Sequence, residues 1–276
     1  MNPHRAHPAS IQAMLACLWT SRDLIFQMTR REVIGRYRGS ILGLAWSFSN
    51  PLLMLAVYTF VFSVVFKARW GMGEQETRTQ FAVMLFAGLI VYNLLAEAAN
   101  RAPGVILANA NYVKKVVFPL EILPVVSVAA ALFQCLVSLA VLLMAIFLFN
   151  GFLHWTVILF PLILLPLVAV SAGVSWGLAS LGVYIRDVGQ FIGIVTAVLL
   201  FVSPVFFPIT ALPEAYRPWM MANPLAFIIE QSRDVLVWGR LPDWPGLLVY
   251  SAAALVVAWL GFAWFQKTRK GFADVI

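Results

Sequence analysis

Five long stretches of the chain contain no Asp, Glu, Lys or Arg: 39–66, 79–96, 122–185, 188–213 and 244–266. A helix needs about 20 predominantly apolar residues to cross the hydrocarbon core of a bilayer. The third stretch is far longer than that, so at about 1.5 Å of rise per residue it crosses twice, turning near Asn150 and Gly151. The pattern predicts an all-α polytopic membrane protein with six transmembrane helices, over about 41–66, 81–99, 122–149, 156–183, 190–207 and 246–265. Those limits divide the chain into an N-terminal segment 1–40, a transmembrane domain 41–266 and a tail 267–276.

The segments outside the spans have patterns of their own. Residues 18–38 place Leu18, Trp19, Ile25, Phe26, Val33 and Tyr37 on one broad helical face, with Arg30, Arg31 and Arg38 largely off it. That is the signature of an amphipathic helix lying in the membrane interface. Arg22 and Arg36 fall at or inside the apolar face, where long basic stems reach back toward headgroups. The 97–121 segment reads as short helices broken at Pro103-Gly104, with Lys114 and Lys115 ahead of a Phe118-Pro119 stop. Residues 203–245 interleave Pro204, Pro208, Pro213, Pro218, Pro224, Pro242 and Pro245 with aromatic rings. Too apolar for water and too broken to span, this segment predicts two short re-entrant helices between spans 5 and 6.

Composition agrees: 62% of residues are hydrophobic and 11% charged, against roughly a quarter charged in an ordinary soluble domain. The net charge of +7 would raise nucleic acid as a partner in a soluble protein, but here the basic residues follow the connecting segments. With the N-terminus inside, 13 Lys and Arg lie on the inner side and 6 on the outer, so the positive-inside rule puts both termini in the cytoplasm. Trp46, Trp70, Trp155, Trp244 and Trp264 sit where interfacial rings are expected. Six arginines in the first 40 residues leave no apolar core for a cleavable signal peptide.

Candidate chemistry is sparse. His4 and His7 lie in the N-terminal segment, His154 in a turn, and no His–acid pair, HExxH or GxxxxGK[ST] pattern occurs. Cys17 and Cys135 read as small apolar fillers rather than a disulfide or a metal site. The expectation is a non-enzyme with no metal or cofactor of its own. Glu97 and Arg101 stand one turn apart at the inner end of span 2 and suit a gate pair better than a proton relay. A transport subunit with neither a nucleotide loop nor an ion-coupling acid must draw its energy from a partner protein.

Several ordered runs carry a resemblance. They are Arg22-Asp23-Leu24, Arg36 through Trp46, Asn50-Pro51-Leu52, Tyr112 through Glu121, Arg186 through Gln190, Ser203 through Pro208, and Asn223 through Ala226. Together they resemble the permease subunits of type 2 ATP-binding-cassette exporters, most closely the branch that exports O-antigen, capsule or teichoic acid chains. The resemblance implies a homodimer in a bacterial inner membrane, working with two copies of a cytoplasmic ATPase that binds ATP and Mg, and moving a lipid-linked polysaccharide. It implies that Arg30, Arg31, Arg36 and Arg38 meet the lipid headgroup or its pyrophosphate, and that Asn111, Lys114, Lys115, Arg186 and Asp187 serve ATPase coupling or gating. It also suggests Trp46, Tyr58, Phe62, Tyr92 and Phe207 as rings along a glycan path. A type 2 exporter of a small amphiphile would share these features; a six-span assembly factor or enzyme acting without ATP is the non-transport alternative.

Overall fold

A computed structural model describes residues 9–43, 45–65, 70, 78–115 and 118–276. The α-helices, in chain order, are α1 (Ile11–Thr20), α2 (Arg22–Tyr37), α3 (Ala45–Tyr58), α4 (Arg78–Val105), α5 (Ala110–Lys115), α6 (Ile122–Asn150), α7 (Phe160–Tyr184), α8 (Val188–Val202), α9 (Arg217–Met221), α10 (Pro224–Arg233), α11 (Trp244–Thr268) and α12 (Phe272–Val275). No strand occurs among the described residues. The ends follow ordinary capping chemistry. Ser10 accepts from the Ala13 amide ahead of α1, and Asp243 accepts from the Gly246 amide ahead of α11, with Pro245 in its first turn. Gly151, in the left-handed region at φ 77°, closes α6.

Among the described residues, five helical stretches are long and apolar enough to cross a membrane: Ala45–Phe62, Thr79–Val105, Ile122–Asn150, Trp155–Tyr184 and Trp244–Val275. The expected fifth span, 190–207, is shorter than predicted. Its helix is the 15-residue α8, about 22 Å long against a core of about 30 Å, because Ser203-Pro204 ends it and the chain turns. The expected second span runs longer, since α4 continues through Pro103 to Val105. Pro103 is held against α7, where a Cβ added at Gly182 would strike the Pro103 backbone.

The most buried helix is α4, whose apolar window is 89% buried against 17% for the α3 stretch. It packs on α6, α7, α8 and α10, and its Leu85, Ile90 and Leu94 join the main core with Ile163, Leu167, Ile228 and Ile229. The longest helix contact joins α7 to α11. Gly173 and Gly261 face each other there with no room for a side chain on either, the close approach that small residues permit between helices in lipid.

Three expectations change on packing. Val33 is buried and Tyr37 donates to Gln134 on α6 (3.2 Å), so part of the α2 face predicted to meet lipid meets protein instead, while Trp19, Phe26 and Ile34 stay exposed. Trp70 is no girdle residue: it is buried, with the Arg233 guanidinium 4.4 Å above its ring. The tail is folded back, with α12 against α5 and α7 and Phe272 fully buried on Phe265 and Tyr184. The 203–245 segment is a chain of short helices, of which α10 buries Leu225, Ala226, Ile228 and Ile229 and runs on into a π-helical turn over Asp234–Trp238.

Candidate functional site

A cavity of about 400 Å³ opens between α3, α4 and α6. Helical spacing builds it: Asn93, Glu97 and Asn100 lie on one face of α4, with Asn50 and Tyr58 from α3 and Gln134 and Ser138 from α6. Asn93 and Asn100 are exposed although most of α4 is buried. Polar side chains within a membrane-crossing helix are costly in lipid and are kept where they face water, protein or a ligand. Gln134 is engaged on both sides, accepting from Tyr37 and donating to the Ser47 carbonyl at 3.1 Å. Asn100 accepts from Thr196 (3.2 Å). Asn50, Asn93 and Ser138, which line the cavity, make no side-chain hydrogen bond among the described residues.

Glu97, in the cavity wall, belongs to a group of four charges. Glu97 pairs with Arg36 and, at 3.5 Å, with Arg101; Glu32 pairs with Arg101 at 2.6 Å and lies 3.6 Å from Arg36. The predicted Glu97–Arg101 pair thus belongs to a neutral network that ties α2 to α4. Arg36 Nε and Nη2 remain buried without a hydrogen-bond partner. Arg30 and Arg31 on α2 and Arg38 just after it are exposed and make no ion pair among the described residues. Arg31, Glu32 and Arg101 also border a groove of about 520 Å³ floored by Met28, Leu123 and Val126. The Glu97→Arg protein is expected to lose thermal stability by about 1–3 kcal/mol, the usual coupling range within a network. The Arg36→Glu, Glu97→Arg swap is expected to recover much of that loss, and a swap no more stable than the single variant would show that the network holds nothing.

Tyr58 and Tyr92 border the cavity, and the buried Tyr92 hydroxyl donates to the Thr196 carbonyl (2.8 Å). Phe62 stacks instead on Phe81 and Phe206, at 5.7 and 5.8 Å between centroids; Phe206, rather than Phe207, is the ring in that cluster. Trp46 is exposed at the start of α3. Arg186 and Asp187 form an exposed turn ahead of α8, and Asn111 is exposed on α5. Lys114 and Lys115 end α5, and their side chains lie outside the described residues.

Two anchors escaped the sequence reading. Arg233, 1% exposed, donates to the carbonyls of Met84 (3.2 Å) and Val205 (3.0 Å) and to Glu230 (2.8 Å). It fastens α10 to α4 and to the chain after α8, where Asn223 also donates to the Ser203 hydroxyl (2.9 Å). The second is Glu121, which accepts from Arg269 (2.7 Å), while its carbonyl accepts from Trp176 (2.8 Å). Burial and the adjoining Glu121 carboxylate push the Cys17 thiol up to about 12. A charge inside an aromatic, proline-rich segment was the available signal for Arg233; nothing local marks its partners.

A helical membrane protein with a polar row on its central helix and a charge network at one end has the build of a transporter subunit. The chain belongs to the ABC-2 type transporter family, whose model matches residues 23–237. It is similar to the O-antigen export system permease protein RfbA of Myxococcus xanthus, 28% identical and covering 94% of this chain and 97% of that one. It is also similar to an RfbA of Klebsiella pneumoniae, 28% identical over 92% and 95%, and to the polysialic acid transport protein KpsM of Escherichia coli, 24% identical over 87% and 91%.

Proposed function

We propose that this chain is the channel-forming permease of an ATP-driven exporter that moves a lipid-linked polysaccharide across a bacterial inner membrane. The observation that carries the reading is the row Asn93, Glu97 and Asn100 on the most buried helix, open to a polar cavity in a chain otherwise built for lipid. The names of the similar permeases supply the substrate class. Energy comes from two copies of a separate ATPase that bind ATP and Mg; Asn111, Lys114, Lys115, Arg186 and Asp187 are the proposed contacts.

Both termini are cytoplasmic in this reading, and α8 with Ser203–Phe207 makes the sixth crossing. Arg30 and Arg31, exposed on α2, and Arg38, exposed just after it, would receive the pyrophosphate of the lipid carrier, a fit of guanidinium forks to phosphate oxygens, with Arg36 held beside them by Glu32 and Glu97. The permease is a homodimer. In support, α8 exposes Phe191, Ile194, Val198 and Phe201 beside Gly189, Gly193 and Ala197, spacing that lets a second helix approach.

Loss of the gene is expected to remove a surface glycan, with lipid-linked polymer accumulating inside, and restoring the chain together with its ATPase is expected to restore it. Unchanged surface glycan, together with new sensitivity to an amphiphilic compound, would assign the chain to small-amphiphile export instead. Topology is checked by single cysteines: position 186 should label from inside and position 214 from outside. Native Cys17, with its thiol raised to about 12, stays protonated at neutral pH and keeps the labelling background low.

A further inference from the structure

The cavity between α3, α4 and α6 has an unusual charge balance for an anion path. Among the described residues that line it, Glu97 is the only charged one, with no Lys, Arg or His beside it in the wall. The Glu97 carboxylate is already held by Arg36 and Arg101. What remains free is neutral: the amides of Asn50 and Asn93, the Ser138 hydroxyl, and the NH₂ group of Asn100, whose oxygen alone is taken by Thr196. Each amide offers two donors and an acceptor, and a pair of neighbouring sugar hydroxyls presents the complementary donor and acceptor. The volume of about 400 Å³ is in the range of roughly 300–1,000 Å³ usual for small-molecule sites. A uronic or sialic acid unit entering here would leave its carboxylate desolvated beside Glu97 with no cation to receive it, which is unfavourable.

We infer that this cavity is a subsite for uncharged sugar units, read through Asn50, Asn93, Asn100 and Ser138, and that it disfavours acidic units because no cation stands among its described lining residues and the two behind Glu97 are taken up by that carboxylate and Glu32. The inference rests on the reading of the chain as a polysaccharide permease and deepens it. The names of the similar proteins include both an O-antigen permease and a transporter of an acidic polymer, so membership of the family leaves the charge of the glycan open.

The test uses the purified full-length chain in lipid nanodiscs, with a neutral mannose oligosaccharide and a uronic acid oligosaccharide of equal length as probes in equilibrium dialysis. The neutral probe is expected to bind at least about tenfold more tightly. Asn50→Ala and Asn93→Ala are each expected to weaken it by about two- to tenfold, one hydrogen bond's worth. Asn93→Lys, which supplies the missing cation, is expected to raise affinity for the acidic probe. Equal binding of both probes, binding of neither, or alanine variants as tight as the parent would each overturn the subsite. Failure of the exporter reading has a separate sign, since surface glycan would then persist in cells lacking the chain whatever the nanodisc result.

Discussion

The Arg233→Met protein is expected to lose about 3–5 kcal/mol of stability, the cost usual for breaking a buried charge pair from one side. Methionine fills much of the volume but donates nothing. The carbonyls of Met84 and Val205 and the Glu230 carboxylate then lose their donor, and the Trp70 ring loses the cation above it. At about 2–4 °C per kcal/mol for chains of comparable size, the detergent-purified protein should melt roughly 10 °C lower. Arg233→Lys keeps the charge but cannot reach three acceptors from one planar fork, so it is expected to fall between parent and Met. Arg233→Met with Glu230→Gln, which removes the orphaned carboxylate, is expected to melt above the single Met variant. A melting temperature unchanged in Arg233→Met would mean that α10 is held by its apolar face alone.

Gly261→Leu is expected to cost about 3 kcal/mol or more, at or beyond the upper end of the overpacking range. The new Cβ would fall on the backbone carbonyl of Gly173, and because Cβ is fixed by the backbone no rotamer avoids it. The α7–α11 contact must then open along its length, against a total stability of about 5–15 kcal/mol. Little monodisperse protein should be recovered after detergent extraction. Gly177→Ala, on the same α7 but with open space around the site, is the control and should extract like the parent. Normal recovery of Gly261→Leu would mean that the two helices do not cross where the structure places them.

Neither residue stands out in the chain. Arg233 is one of 19 basic residues and Gly261 one of 17 glycines, and each gains its importance from a partner far away in sequence. The same holds for α2. Its period is readable, but whether Val33 and Tyr37 face lipid or protein depends on α6 arriving beside them. Arg36, which the family resemblance groups with Arg30, Arg31 and Arg38, is tied up because Glu97 meets it from α4. The Glu97–Arg101 pair was legible, since a four-residue step on one helix brings two side chains together wherever the helix lies.

Long uncharged runs, proline breaks and the turn at Asn150-Gly151 are local properties, so the sequence by itself determined the helical membrane class and most helix positions. It also carried the family, because the motifs of a permease recur in order along one chain. The length of α4 was decided by tertiary contact, since it runs through Pro103 where α7 receives it at Gly182, whereas α8 stops at Ser203-Pro204, a break the sequence already carries. Only the fold gathers Asn50, Asn93, Asn100 and Ser138 around one cavity. Three helices contribute them, and their sequence spacing holds no trace of which faces will meet.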